Sequence, residues 1–196
     1  MNLKNPKKIT VGLSGGILCG KTTALSAWEK AGAFVLSCDE LVREISVRPA
    51  VQKKITAAFG TCEPAALAHN VFSNAAARRR LEKIVHPLVY KELAARLNKS
   101  TQPVRVVEVP LLFEARWEKF FDVTVALLTP EKLLAARAKQ RGIGRADWAA
   151  RRQAQLPQTQ KAARADICIL NDGTKKDLSD KIKNLQNALS KIYNVK

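Results

Sequence analysis

The chain has 196 residues, 46% hydrophobic and 26% charged, a balance that fits one globular domain with a full core and excludes a disordered or fibrous chain. Its 34 Lys and Arg against 17 Asp and Glu leave a net charge of +17, which on charge alone reads as a solvated basic surface and otherwise as one that draws polyanions such as nucleotides, nucleic acid or acidic membranes. No apolar run is long enough to span a bilayer, and residues 1–8 are polar and basic with no signal-like apolar stretch behind them, so a cytoplasmic protein without membrane attachment is expected.

The first element is a short strand, because Ile9, Val11 and Leu13 alternate with Thr10 and Gly12. It runs into residues 15–22, Gly-Gly-Ile-Leu-Cys-Gly-Lys-Thr, which satisfy G-x-x-x-x-G-K-[ST], and a helix is expected from Thr22. Strand, loop, helix is the setting that a phosphate-binding loop needs. Glycines let the backbone curl so that N–H groups point at phosphate oxygens, and the positive end of the helix dipole adds to that field. Gly16, Ile17, Leu18, Cys19, Gly20, Lys21, Thr22 and Thr23 are therefore the expected ATP contacts. Lys21 is suited to the β- and γ-phosphates and the Thr22 hydroxyl to Mg²⁺.

Four further strands are expected at 33–36, 104–110, 123–128 and 167–170. Helices are expected at 22–31, 39–45, 49–59, 75–99, 130–141, 145–155 and 175–192. This alternation predicts an α/β fold of three layers, with a five-stranded parallel sheet, helices on both faces and ligands at the carboxyl ends of the strands. The whole chain, 1–196, then forms a single domain. The stretch from about 40 to 100 exceeds what a crossover needs and suits a helical substrate-binding insertion. Residues 137–164 carry eight basic residues (Arg137, Lys139, Arg141, Arg145, Arg151, Arg152, Lys161, Arg164) against one acid, Asp147. With Gly142 and Gly144 as hinges they read either as a mobile lid over phosphates or as a solvated helical face. The last helix is amphipathic through Leu178, Ile182, Leu185 and Leu189.

Asp39 follows the second strand and so belongs at the carboxyl edge of the sheet. There a carboxylate orients an attacking hydroxyl and takes its proton late in phosphoryl transfer, or it caps the helix that follows. Arg43, one turn on, faces the same way and suits a substrate phosphate. The four cysteines, Cys19, Cys38, Cys62 and Cys168, show no zinc or C-x-x-C spacing. Cys19 and Cys38 are read as small packing residues, with an oxidation-sensitive site as the alternative.

On these motifs the chain resembles the dephospho-CoA kinase family, a group of P-loop small-molecule kinases. The family's Gly-Gly-Ile loop is present at residues 15–17, and its D-A-D-x-x-A-R segment matches residues 37–43 with Asp39 and Arg43 kept. Its H-P segment matches His86-Pro87, its P-L-L-F-E strand end matches residues 110–114, its lid Q-R matches Gln140-Arg141, and its A-D…N-x-G ending matches Ala165-Asp166 and Asn171-Asp-Gly173. The matches run in order over nearly the whole chain.

The resemblance implies ATP-dependent phosphorylation of the ribose 3′-hydroxyl of dephospho-coenzyme A, giving coenzyme A and ADP with Mg²⁺ as cofactor. It implies Asp39 as the base, with Lys21 and Arg141 as the other catalytic groups. Asn171 and Gly173 fall in the loop that holds adenine. Asp39, Arg43, His86, Pro110, Leu111, Leu112 and Glu114 fall in the substrate-binding region, although residue patterning alone leaves His86 a structural histidine.

Three departures stand out: Ser37 for the first Asp of the family segment, Glu108 where Asp is common, and Leu18-Cys19 for the usual Gly-Ser. Lowered turnover or altered Mg²⁺ affinity is expected from them. Leu18 is strained if its position requires φ > 0. The readings set against this one are another small-molecule kinase, a nucleic-acid-stimulated ATPase exploiting the net charge, and a binding protein without catalysis. A nucleic-acid partner is disfavoured, since the basic residues gather in the lid segment and only three Trp and two Tyr are available for stacking. Oligomeric state is left open.

Overall fold

The computed structural model describes residue 3 and residues 7–72, 74–153 and 155–195. Its strands are β1 (Ile9–Gly15), β2 (Phe34–Ser37), β3 (Val104–Glu108), β4 (Val123–Leu128) and β5 (Ile167–Leu170). All pair in parallel, in the order β2-β3-β1-β4-β5. The five expected strands are present with small changes at their ends. β3 stops at Glu108, two residues before Pro110, whose missing N–H cannot extend a ladder.

The helices are α1 (Lys21–Lys30), α2 (Cys38–Ser46), α3 (Pro49–Phe59), α4 (Pro64–Phe72), α5 (Ala75–Lys99), α6 (Glu131–Gln140), α7 (Arg145–Gln153), α8 (Gln158–Arg164) and α9 (Lys175–Ile192). Helices α4 and α8 were not expected from the sequence. The Glu63 carboxylate caps α4 by accepting from the N–H groups of Ala65 and Ala66, at 3.1 and 2.7 Å. Pro157 occupies the N-cap of α8 and stops the preceding helix, so the segment expected as 145–155 ends early and a separate short helix follows.

The residues group into two compact units, Met1–Ser37 with Ser100–Lys196, and Cys38–Lys99. In the first unit β1 is the central strand, buried along its whole length. Ile9, Val11 and Leu13 enter one apolar cluster with Ala24, Ala27 and Trp28 of α1 and Leu178, Ile182 and Leu189 of α9. Ser14 faces the other side, where α8 packs. Trp28 is fully buried, and its truncation to Ala is worth about 3–5 kcal/mol. Helix α9 begins with a capping box between Thr174 and Asp177. Gln186 Nε2 ties α9 to the end of α1 by donating to Ala31 O at 2.6 Å. It is Gln186, more than Leu185, that completes the buried stripe.

The second unit is all helical, with α2, α3 and α4 packed against α5. Leu41, Ile45, Val51, Ile55, Val85, Val89, Leu93 and Leu97 are buried. A chain of charges runs along it: Arg48 pairs with Glu92 at 2.9 Å, Glu92 with Arg96 at 2.9 Å, and Arg96 with Glu44. None of the described helices is long and apolar enough to cross a membrane.

Candidate active site

β1 ends at Gly15 and α1 begins at Lys21, so residues 16–20 form a loop at the carboxyl edge of the central strand. The chain departs from β1 to one side for β2 and to the other for β4 and β5, which opens a crevice at this point. Side chains from three other segments take the loop's carbonyls. Arg137 Nη1 donates to Leu18 O at 2.9 Å, while Asn171 Nδ2 and Thr129 Oγ1 both donate to Cys19 O, at 2.8 and 3.1 Å. Helix α1 makes its first backbone bond from Ala24 N to Gly20 O at 2.9 Å. Within the loop Cys19 N donates to Gly16 O at 3.4 Å, and the amides at the start of α1 remain for an anion.

Two backbone positions pin this shape. Leu18 lies at φ 61°, so the condition for strain at that departure is met. Gly20 lies at φ 99°, and a Cβ there would sit 2.5 Å from Asn171 Nδ2. Lys21 Nζ rests on Gly15 O and Gly16 O at 3.2 and 2.9 Å, and Thr22 is exposed at the start of the helix. Cys19 is fully buried, and burial pushes its thiol above the ordinary value, with nearby Lys21 opposing. Such a thiol is a packing group and a poor target for oxidation. Cys38 is also buried.

Glu108 ends β3 in register with Leu13 of β1 on one side and Ser37 of β2 on the other. Two of the departures are therefore neighbours on the sheet's carboxyl edge. Beyond them, Leu111 is 37% exposed whereas Leu112 is 0% exposed and packs inward, so of these two only Leu111 presents its side chain at the surface. Glu114 Oε1 accepts from Leu156 N at 2.8 Å and pairs with Lys161 Nζ at 3.0 Å. Lys161 is buried, and desolvation pulls its ammonium below the ordinary range against the pull of Glu114.

The basic side chains of residues 137–164 are not uniformly solvated. Arg137 holds the loop, Arg152 pairs with Glu131 through two 2.8 Å bonds, Lys161 is buried, and Arg164 pairs with Glu118 at 2.5 Å. Arg141 is exposed at the end of α6, and its side chain makes no bond among the described residues. The side chains of Arg145 and Arg151 lie outside the described residues. A small open cleft adjoins the loop, lined by Gly16, Ile17, Trp148, Arg152, Gln155 and Leu156 among others.

Asn171 is buried with its amide committed to the loop, and Gly173 is exposed. A Cβ at Gly173 would sit 2.5 Å from Asp177 Oδ2, so a side chain there would disturb the capping box. In the helical unit, Asp39 is exposed on the first turn of α2, which begins on Cys38 directly after β2. Asp39 is thus inside the helix and not its N-cap, and its carboxylate makes no bond among the described residues. Arg43 Nε donates to Asp39 O at 3.3 Å, so the two share a face. His86 is half-buried within α5, next to Pro87.

Sequence reasoning named Asn171 for the adenine loop and Arg137 among the basic residues of 137–164, without giving either a part in holding the phosphate loop, and it missed Thr129. Helical spacing from Leu134 put Arg137 within reach of being noticed, as it shares a side with that buried residue. Thr129 and Lys161 carry no such signal.

The model of the family described as dephospho-CoA kinase matches residues 9–177 of this chain. The chain belongs to the dephospho-CoA kinase family. A dephospho-CoA kinase of Frankia casuarinae is 35% identical over 184 residues, covering 88% of this chain and 80% of that protein. The crystal structure of a Thermus thermophilus protein superposes with a TM-score of 0.83 at 31% identity, over 93% of this chain and 98% of that one. A dephospho-CoA kinase from Campylobacter jejuni shares the fold, with a TM-score of 0.63 at 21% identity over 94% and 99% of the two chains. As a member of this family the chain is a transferase, a P-loop kinase with its parallel sheet and helices.

Proposed function

We propose that this chain transfers the γ-phosphoryl group of ATP to the ribose 3′-hydroxyl of dephospho-coenzyme A, completing coenzyme A. The observation that carries the reading is the braced phosphate loop, its carbonyls bound by Arg137, Asn171 and Thr129, on a chain matched to the dephospho-CoA kinase family over residues 9–177.

Transfer is direct and in line, with no covalent enzyme intermediate. The loop amides and Lys21 hold the β- and γ-phosphates, and Arg141 neutralises charge that develops on the moving group. An arginine in this role is worth on the order of 10³-fold in rate. Asp39 orients the acceptor hydroxyl and accepts its proton as the new P–O bond forms and the bond to ADP breaks. Arg43, His86 and the segment 110–114 receive dephospho-coenzyme A, with Leu111 and the backbone there doing the touching. The 171–173 loop borders the adenine through its backbone, since the Asn171 amide is already engaged.

The exposed Thr22 hydroxyl is a hard oxygen donor at the start of α1 and fits Mg²⁺, which prefers a few protein oxygens beside phosphates to a dedicated cage. Bound there, Mg²⁺ supplies neutralisation of the phosphate charge. The helical unit 38–99 is proposed as the substrate-binding part and 137–164 as the lid that excludes water. Acting on small nucleotides, the enzyme belongs in the cytoplasm.

The test is the position of the new phosphate. Phosphorus–proton correlation NMR of the product is expected to place it on the 3′-oxygen. Phosphate on the 2′-oxygen, or phosphorylation of nucleosides in preference to dephospho-coenzyme A, contradicts the reading.

A further inference from the structure

Among the described residues, Lys161 and Arg105 are the fully buried cations. Arg105 lies near the start of β3, at the opposite end of that strand from the site, where its Nη2 donates to Thr10 Oγ1 at 2.5 Å. Lys161 lies at the site's edge. Its Nζ donates to Pro110 O at 2.6 Å and pairs with Glu114 Oε1 at 3.0 Å. The same Oε1 accepts from Leu156 N, and Pro110 O also accepts from Ser14 Oγ at 3.2 Å. One ammonium thus gathers the central strand, the turn after β3 and the root of the lid segment.

The arrangement is costly for a mere strut. Burying each ion forfeits several kcal/mol of hydration, and an apolar pair of similar volume is often as stable or more so. Among the described residues the ammonium meets two protein oxygens, and Glu114 Oε2 has no protein partner. What the pair does fix is placement. Leu111 is held exposed between Pro110 and Glu114, and the wall 155–158 of the cleft is pinned at Leu156 by Glu114. That wall is also pinned at Gln158, which exchanges bonds of 3.0 and 2.7 Å with the Thr129 backbone. The ATP loop is braced by Arg137 and Asn171 apart from this frame and shares Thr129 with it, through Gln158, whose bonds do not involve Lys161 or Glu114.

We propose that Lys161 is a positioning residue for the acceptor: with Glu114 it locks the turn 110–114 and the wall 155–158 into one frame that receives dephospho-coenzyme A. The proposal rests on the acceptor assigned above. Lys161→Met alone leaves a buried, unpaired carboxylate and is prone to unfold. The decisive protein is therefore the double variant Lys161→Met/Glu114→Gln, which removes both charges. Its melting temperature, the Kd of a non-hydrolysable ATP analogue, and kcat and KM for dephospho-coenzyme A are measured beside the wild type. The expected result is a melting point within a few degrees, nucleotide affinity within about twofold, and a KM for dephospho-coenzyme A raised about tenfold with a smaller change in kcat. A folded double variant with unchanged KM makes the pair a strut and overturns the proposal, as does an equal loss of nucleotide affinity. A double variant that cannot fold makes the pair a fold determinant and overturns it too. If wild-type enzyme fails to turn over dephospho-coenzyme A in the same assay, both this proposal and the acceptor reading fall.

Discussion

The guanidinium of Arg137 and the carbonyl of Leu18 form a 2.9 Å hydrogen bond that holds the phosphate loop where Leu18 stands at φ 61°. A left-handed leucine costs about 1–2 kcal/mol, similar to what one charge-assisted hydrogen bond returns. Arg137→Ala is expected to weaken ATP binding about tenfold, read by calorimetry. In a Leu18→Gly background the same change is expected to cost less, because glycine adopts the conformation unaided. Equal affinity in Arg137→Ala and wild type contradicts the bracing role.

Gly20→Ala tests the other brace. The new methyl meets Asn171 Nδ2 and the φ of 99° becomes strained, so a loss of about 2 kcal/mol or more is expected in urea unfolding. Nucleotide affinity is expected to fall with it. A variant with wild-type stability and affinity shows that the Asn171–Cys19 contact does not shape the loop.

The sheet was legible because parallel strands covered on both faces read as apolar runs between turn residues, as at 9–13, 104–108 and 123–128. The loop was legible from its glycines and Lys21. Its braces were not, because Arg137, Thr129 and Asn171 come from segments far apart in sequence and meet Leu18 and Cys19 only through the fold. In the sequence Lys161 is one more basic residue of 137–164, a segment that reads either as a lid or as a solvated face. Its burial depends on Pro110 and Glu114, about fifty residues earlier, and periodicity within the short α8 carries no trace of them. Asp39 was read either as a cap or as a base, and the start of α2 at Cys38 removes the first of these.

The helical unit gives a pH prediction. Hydrogen bonds from Arg96, then Arg48, hold the Glu92 carboxyl below its ordinary 4.5. A depressed carboxylate contributes stability above its unfolded value and loses it as pH falls through the lower, folded value. Glu92 is a quarter exposed, so the contribution is small, about 0.5–1 kcal/mol. Glu92→Gln is expected to lower stability at pH 7 and to flatten the loss below pH 4.5 in urea titrations. A variant whose acid-side slope equals that of the wild type removes Glu92 from the account.

Asp39→Asn separates binding from chemistry. The exposed carboxylate makes no bond among the described residues, so the amide is expected to leave folding and ATP affinity unchanged. Turnover is expected to fall about 10²–10⁴-fold, the range for loss of a general base. Near-normal turnover shows that Asp39 does not take the proton.

The most direct measurement is mass analysis of purified protein incubated with Mg·ATP and dephospho-coenzyme A, beside a Lys21→Ala control. The account predicts coenzyme A and ADP in equal amounts from the wild type and none above background from the variant. ATP-binding, folded protein that yields no coenzyme A contradicts it.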